Sequence, residues 1–122
     1  MNETQVMKPI ANFNPGKLPP LNTYEAEESM DAVPVAYRLF TPRAGATWHI
    51  TEGESVDEGQ DILLFGLCDL GVGFPELGYV SLREIMDLNA NTTPVEVDLY
   101  WSGSLGKAMD EAGITWHRRK DD

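Results

Sequence analysis

The chain is poor in cysteine and in basic residues. It has 122 residues and a single cysteine, Cys68, so no disulfide can form within it. Nine lysines and arginines stand against 20 aspartates and glutamates, which gives a formal net charge of −11. Such a surface repels phosphate backbones, so we expect no direct nucleic-acid binding. The same charge favours a partner protein with a basic surface.

Long apolar segments are also absent. No run approaches the roughly 20 apolar residues that a membrane helix needs, and no basic segment followed by an apolar one opens the chain. We therefore expect no membrane association. Together with the lone cysteine, these features predict a reducing, cytoplasmic location.

The composition is that of one globular domain, with 42% apolar and 24% charged residues. The first 33 residues differ from the rest, because they carry four of the eight prolines and lack a regular apolar pattern. We predict a proline-rich acidic arm over 1–34, packed on a single domain over 35–122. Leu18 and Leu21 flank two prolines and are expected to anchor the arm in the core.

Beyond the arm, short apolar runs alternate with turn residues, which is typical of strands. The pattern predicts five strands, at 35–41, 46–52, 61–70, 76–80 and 95–101, with a loop over 53–59. The apolar run 61–70 predicts a central strand buried on both faces, in which Gly66 leaves room for a neighbour. A further short strand is predicted in the tail after Gly113.

Two short helices are predicted, over 82–88 and 105–112. Ser81 and Ser104 are expected to cap them, and Glu84 stands where a capping box requires an acid. The predicted fold class is α+β, a curved and largely antiparallel five-stranded sheet with two short helices on one side. The sequence sets no oligomeric state.

Catalytic motifs are incomplete in this chain. The segment 103–107 lacks the residues of a phosphate-binding loop, and neither Cys68 nor any serine stands in a recognisable nucleophile motif. His49 and His117 have no paired ligand spacing around them, so a solvent-facing or hydrogen-bonded structural histidine is favoured for His49. We expect no resident metal and no cofactor.

Several short motifs occur in register between residues 17 and 106. They are Leu18-Pro19-Pro20-Leu21, Phe40-Thr41-Pro42, Trp48, Thr51-Glu52, Leu64-Phe65-Gly66, Glu76-Leu77-Gly78-Tyr79 with Ser81-Leu82, and Asp98-Leu99-Tyr100-Trp101. In this order the chain resembles the bacterial domain-of-unknown-function family 2958. The resemblance implies an association with plasmids, phages and integrated elements, and no settled activity. Some members carry the label of single-stranded DNA endonuclease.

The leading hypothesis is a non-enzymatic accessory protein of a mobile genetic element. It would bind a host or element-encoded protein through an acidic surface, and one form of this role is to inhibit a nucleic-acid-binding defence protein by mimicking DNA. The acids expected to form that surface come from two segments and are Glu25, Glu27, Glu28, Asp31, Glu52, Glu54, Asp57, Glu58 and Asp61.

The alternative hypothesis is a small metal-dependent nuclease or hydrolase. Glu52, Glu76 and Asp98, together with His49, would then gather around a divalent ion that activates water. This alternative requires that the four side chains converge in the fold.

Overall fold

A computed structural model describes residues 9–91 and 93–116 as one open antiparallel sheet with two α-helices. The strands are β1 Tyr37–Phe40, β2 Thr47–Val56, β3 Asp61–Asp69, β4 Glu76–Ser81 and β5 Glu96–Val97, in the spatial order β4-β3-β2-β1-β5. The helices are α1 Leu82–Asn91 and α2 Leu105–Glu111, and short 3-10 turns occupy Pro15–Lys17, Met30–Ala32 and Asp57–Gly59. The predicted α+β class and five-stranded antiparallel sheet are confirmed.

Two strands, β2 and β5, differ most from their predicted bounds. β2 continues to Val56 because its residues pair with β3 through Val56↔Asp61, so the predicted loop shrinks to a tight turn. β5 has only two residues, because the Asp98 carboxylate accepts hydrogen bonds from the N–H groups of Tyr100 and Trp101 and turns the chain away. Residues 114–116 form no strand, and the remainder of the predicted tail strand lies outside the described residues.

The middle strand of the sheet is β2, whereas β3, predicted as a central strand buried on both faces, lies between β2 and the edge strand β4 and is less completely buried. Residues 48–53 of β2 are buried without interruption, whereas in β3 only Leu64, Gly66 and Leu67 are. β3 is less buried because its outer neighbour is the edge strand β4, and one face of the β3–β4 pair is poorly covered. Apolar content alone does not distinguish these two positions.

Each face of the sheet carries one helix. α1 packs with Leu64 in one hydrophobic core, and α2 packs with Leu67 in another. Side chains three residues apart on a strand point to opposite faces, so the two helices lie on opposite sides of the sheet and not together on one side as predicted. Periodicity identifies the apolar face of a helix but not the sheet face that it covers.

The segment from residue 9 to residue 34 contributes to both cores. Ile10 and Leu18 are buried on the α1 face, as the anchoring role expected of Leu18 requires, and Val33 is buried beneath α2. The N–H of Gly53 also donates to the carbonyl of Pro19 at 3.0 Å. The division into an arm over 1–34 and a domain over 35–122 stays a prediction.

A β-bulge in β2 determines which way the second half of that strand faces. Ile50 pairs with Gly66, but the next pair is Glu52 with Phe65, so Thr51 is the extra residue. Without the bulge, alternation would place Glu52 on the α1 face with Ile50; with it, Glu52 faces the α2 side. Gly66 permits this arrangement, because a Cβ there would lie 1.8 Å from the His49 carbonyl oxygen.

Candidate binding groove

A groove of about 190 Å³ opens on the α2 face of the sheet. Tyr24 and Glu25 line it from the arm, Glu52 and Phe65 from the sheet, and Leu105 from α2. We call it the Glu52 groove. Its volume is below the roughly 300 to 1,000 Å³ of sites for drug-sized ligands and cofactors, so it suits a smaller group.

The Glu52 carboxylate lies at the inner side of this groove. Only 6% of the residue is exposed. Its Oε1 accepts a hydrogen bond of 2.7 Å from the N–H of Asn22. Its Oε2 lies 3.2 Å from the hydroxyl of Thr51, whose single proton is shared between this oxygen and the carbonyl of Phe65 at 3.3 Å. Among residues 9–91 and 93–116, no lysine, arginine or histidine forms an ion pair with it. The carboxylate is therefore hydrogen-bonded but has no cation beside it.

Aromatic and aliphatic side chains form the outer wall. The rings of Phe65 and Tyr79 pack with centroids 5.0 Å apart, and Leu77 lies beside them on β4. Tyr79 is 57% exposed. The apolar surface continues along the sheet edge through Leu70 and Phe74, which are exposed and lie in one hollow with Leu77 and Tyr79. Contiguous exposed apolar surface of this kind is typical of protein-interaction sites.

One acid from each of the two predicted clusters lines the groove. Glu25 from the arm and Glu52 from β2 both line it. Glu54 is exposed and pairs with Leu63, so it faces the same side of the sheet as Glu52. Asp57 and Glu58 are exposed in the turn between β2 and β3.

The other acids of the arm lie along the chain beside Glu25. Glu27 and Glu28 are exposed. Asp31 packs against α2, and its carboxylate stands where a side chain at Gly106 would have to go. Of these acids, Asp31 lies next to the helix that covers the α2 face.

Asp61, the last of the acids predicted for the binding surface, makes hydrogen bonds that hold the fold together. Its carboxylate accepts hydrogen bonds from the Ser81 hydroxyl and from the N–H groups of Ile62 and Arg83. Burial acts to raise the pKa of Asp61, but these hydrogen bonds hold it below the ordinary value of 3.8. Asp61 thus ties the start of α1 to β3, and Ser81 caps that helix as predicted by accepting from the N–H of Glu84.

The four residues of the nuclease alternative do not share a site. Glu52 faces the α2 side, whereas Glu76 pairs with Cys68 and faces the α1 side. Asp98 forms an ion pair with Arg38 at 2.7 Å. Across residues 9–91 and 93–116, no three His, Cys, Asp or Glu side chains form a group suited to a metal ion.

His49 does not fit the prediction of a solvent-facing or hydrogen-bonded histidine, because its ring is buried among apolar contacts. Its ring packs edge-on against Trp101 at 4.8 Å, and neither ring nitrogen has a hydrogen-bond partner in the described part of the chain. Burial, and then the charge of Arg38, lower the pKa of His49 to about 4, so the ring is neutral near pH 7. Burial also raises the pKa of the Cys68 thiol, as expected for an unreactive cysteine.

Comparison with protein families gave one match. The sequence model of a family described as "Protein of unknown function (DUF2958)" matches residues 18–109, three quarters of the chain. The chain belongs to this family. The match runs from Leu18 in the arm to Met109 in α2, so it includes every strand of the sheet and the lining of the Glu52 groove.

No curated protein and no solved structure matches this DUF2958 protein. No helix in the described ranges is long and apolar enough to cross a membrane.

Sequence reasoning missed most of the groove. No binding role was predicted for Tyr24, Phe65 or Tyr79, because nothing in their local pattern marks them as a wall around an acid. One usable signal was Gly66, since a glycine inside an apolar strand often marks a bulge.

Proposed function

We propose that this DUF2958 protein is a non-enzymatic accessory protein of a mobile genetic element, which binds a basic host or element-encoded protein in the cytoplasm. The observation that carries the proposal is that Glu25 and Glu52 line one groove beside an exposed apolar edge. The mobile-element setting rests on the family resemblance. The basic character of the partner rests on charge.

The surface around the groove has the features of a protein-binding site. Aromatic residues are enriched at the centres of protein interfaces, and Phe65, Tyr79 and Phe74 lie together at this edge. The acids around them would select a positively charged partner and speed its approach. If that partner binds nucleic acid through the same basic surface, occupation by this protein would block it.

A capture experiment followed by binding measurements tests the proposal. The tagged protein is incubated with nuclease-treated host lysate at low and high salt, and retained proteins are identified by mass spectrometry. A basic protein retained at low salt is then purified and titrated calorimetrically. Loss of the interaction at high salt is expected, because exposed charges are screened there.

Matched charge reversals locate the binding surface. The double substitution of Glu25→Lys and Glu54→Lys changes the groove face, and Glu84→Lys with Asp87→Lys makes the same change in net charge on α1. We expect about tenfold or greater weakening for the first pair and about twofold for the second. Equal weakening by both pairs would contradict the assignment of the groove face.

The same preparation should leave single-stranded DNA uncut with magnesium or manganese. Metal-dependent cleavage that is lost in Glu76→Gln and Asp98→Asn would instead favour the nuclease alternative.

A further inference from the structure

We infer that the Glu52 groove holds one arginine side chain of the partner protein. This inference rests on the proposed function and adds the chemical group that the groove recognises. Three properties of the groove support it: its size, the free acceptor capacity of its carboxylate, and its aromatic wall.

The size of the groove limits the ligand to a single side chain. Its volume is about 190 Å³, and its lining closes around Glu52 from the arm, the sheet and α2. A nucleotide or other cofactor-sized molecule would extend well beyond it. A long side chain presented by another protein can enter such a space while the rest of that protein contacts the rim.

The carboxylate of Glu52 can accept two parallel hydrogen bonds from one planar donor. An ionised carboxylate has about four acceptor positions, two on each oxygen. Among the described residues, Asn22 occupies one position on Oε1 and Thr51 at most one on Oε2, so each oxygen keeps at least one position open. A guanidinium group donates two parallel N–H bonds and therefore matches both oxygens at once.

The burial of Glu52 is another reason for a cationic ligand. Removing an ionised carboxylate from water is costly unless a cation or several donors accompany it. Glu52 is 6% exposed and has two donors but no cation among the described residues. An entering guanidinium would supply the missing positive charge.

The aromatic wall favours arginine over lysine. A guanidinium plane stacks on an aromatic face, whereas an ammonium group is a compact and strongly hydrated charge. Tyr79 lines the groove, packs against Phe65 and is more than half exposed, so its ring is accessible to a ligand. The apolar stem of an arginine side chain would contact Leu77 and Leu105.

Titration of the full-length 15N-labelled protein with small peptides tests this inference. The probes are capped glycyl-arginyl-glycine, the lysine peptide, and the citrulline peptide, which has the shape of arginine without its charge. We expect amide shifts of Asn22, Phe65 and Tyr79 on addition of the arginine peptide. Affinity should fall in the order arginine, lysine, citrulline, with about tenfold between the first and last.

Two variants and one control assign the effect to the groove. Glu52→Gln keeps an acceptor for Asn22 but removes the charge, and Tyr79→Ala removes an exposed ring; each should weaken the arginine peptide about tenfold. Glu84→Gln, an exposed acid on α1 at the opposite side of the sheet, should change its affinity by less than about twofold. The 15N spectra establish that each variant is folded.

Absence of shifts at the groove, or equal affinity for the arginine and citrulline peptides, would overturn the inference. Equal affinity for lysine and arginine would overturn its guanidinium part. If the peptide fails while the Glu25 and Glu54 reversals still weaken the partner, the proposed function stands without this inference. If the peptide binds but those reversals have no effect on the partner, the proposed function fails.

Discussion

Replacing Gly66 with alanine should strongly destabilise the protein and disturb the Glu52 groove. A Cβ at residue 66 would lie 1.8 Å from the carbonyl oxygen of His49, 2.8 Å from its carbonyl carbon and 3.0 Å from the Cα of Ile50. All three atoms belong to the backbone of β2. No rotation of a side chain can relieve the clash, so β2 and β3 must separate or the bulge must be lost.

The size of the effect follows from where the clash occurs. Ordinary contact with a Cβ begins near 3.4 Å, so the backbone must move by roughly 1.5 Å in the most buried strand of the sheet. Overpacking typically costs about 1 to 3 kcal/mol, and a backbone clash belongs at or above the upper end. We expect Gly66→Ala to lose about 3 kcal/mol or more of the free energy of unfolding.

Gly78→Ala is the matched control, because Gly78 pairs directly with Gly66 across β3 and β4. A Cβ at residue 78 would meet no atom within 4 Å. Since alanine also restricts the unfolded chain, this variant should be unchanged or more stable by about 0.5 to 1 kcal/mol.

Urea unfolding followed by tryptophan fluorescence gives the free energy of both variants. The arginine-peptide titration provides a second reading. Loss of the bulge would return Glu52 to the α1 face, so Gly66→Ala should also bind the peptide more weakly. Equal stabilities for the two variants, within about 0.5 kcal/mol, would refute the reasoning about the bulge.

Two further substitutions test buried or capping groups. Asp61→Ala should cost about 1 to 2 kcal/mol at pH 7, because it removes the anchor of the start of α1. Because the pKa of Asp61 is lowered in the folded protein, its contribution to the free energy of unfolding is present above pH 4 and is lost as the pH falls through the pKa of the folded state. The difference in stability between Asp61→Ala and wild type should therefore shrink in acid, and a constant difference would argue against this role. His49→Phe should keep the packing on Trp101 and make unfolding in urea less sensitive to pH between 6.5 and 4. As the pH falls over that range, His49 takes up a proton in the unfolded wild-type chain but not in the folded one, so wild type loses free energy of unfolding that the variant keeps. An equal loss of stability in the variant would contradict the burial argument.

Most of the secondary structure could be predicted because its boundaries are local. Pro42 and Gly45 separate β1 from β2, and Ser81 with Glu84 marks the start of α1. The position of each element in the sheet depends on distant parts of the chain. Neither the central place of β2 nor the opposite placement of the helices is encoded in a run of neighbouring residues.

The groove illustrates the same limit, although the sequence contained a conflict that pointed to it. Trp48, Ile50 and Glu52 alternate along β2, and regular alternation would bury the charge of Glu52 with two core side chains on the α1 face. A strand with that pattern must either bury an acid in an apolar core or change its register between Ile50 and Glu52. A glycine on the neighbouring strand is what a register change needs, and Gly66 supplies it opposite Ile50. The combination of a misplaced acid and a strand glycine therefore predicts a bulge, and the bulge in turn predicts that Glu52 faces the other side, where its acceptor positions are open to a ligand.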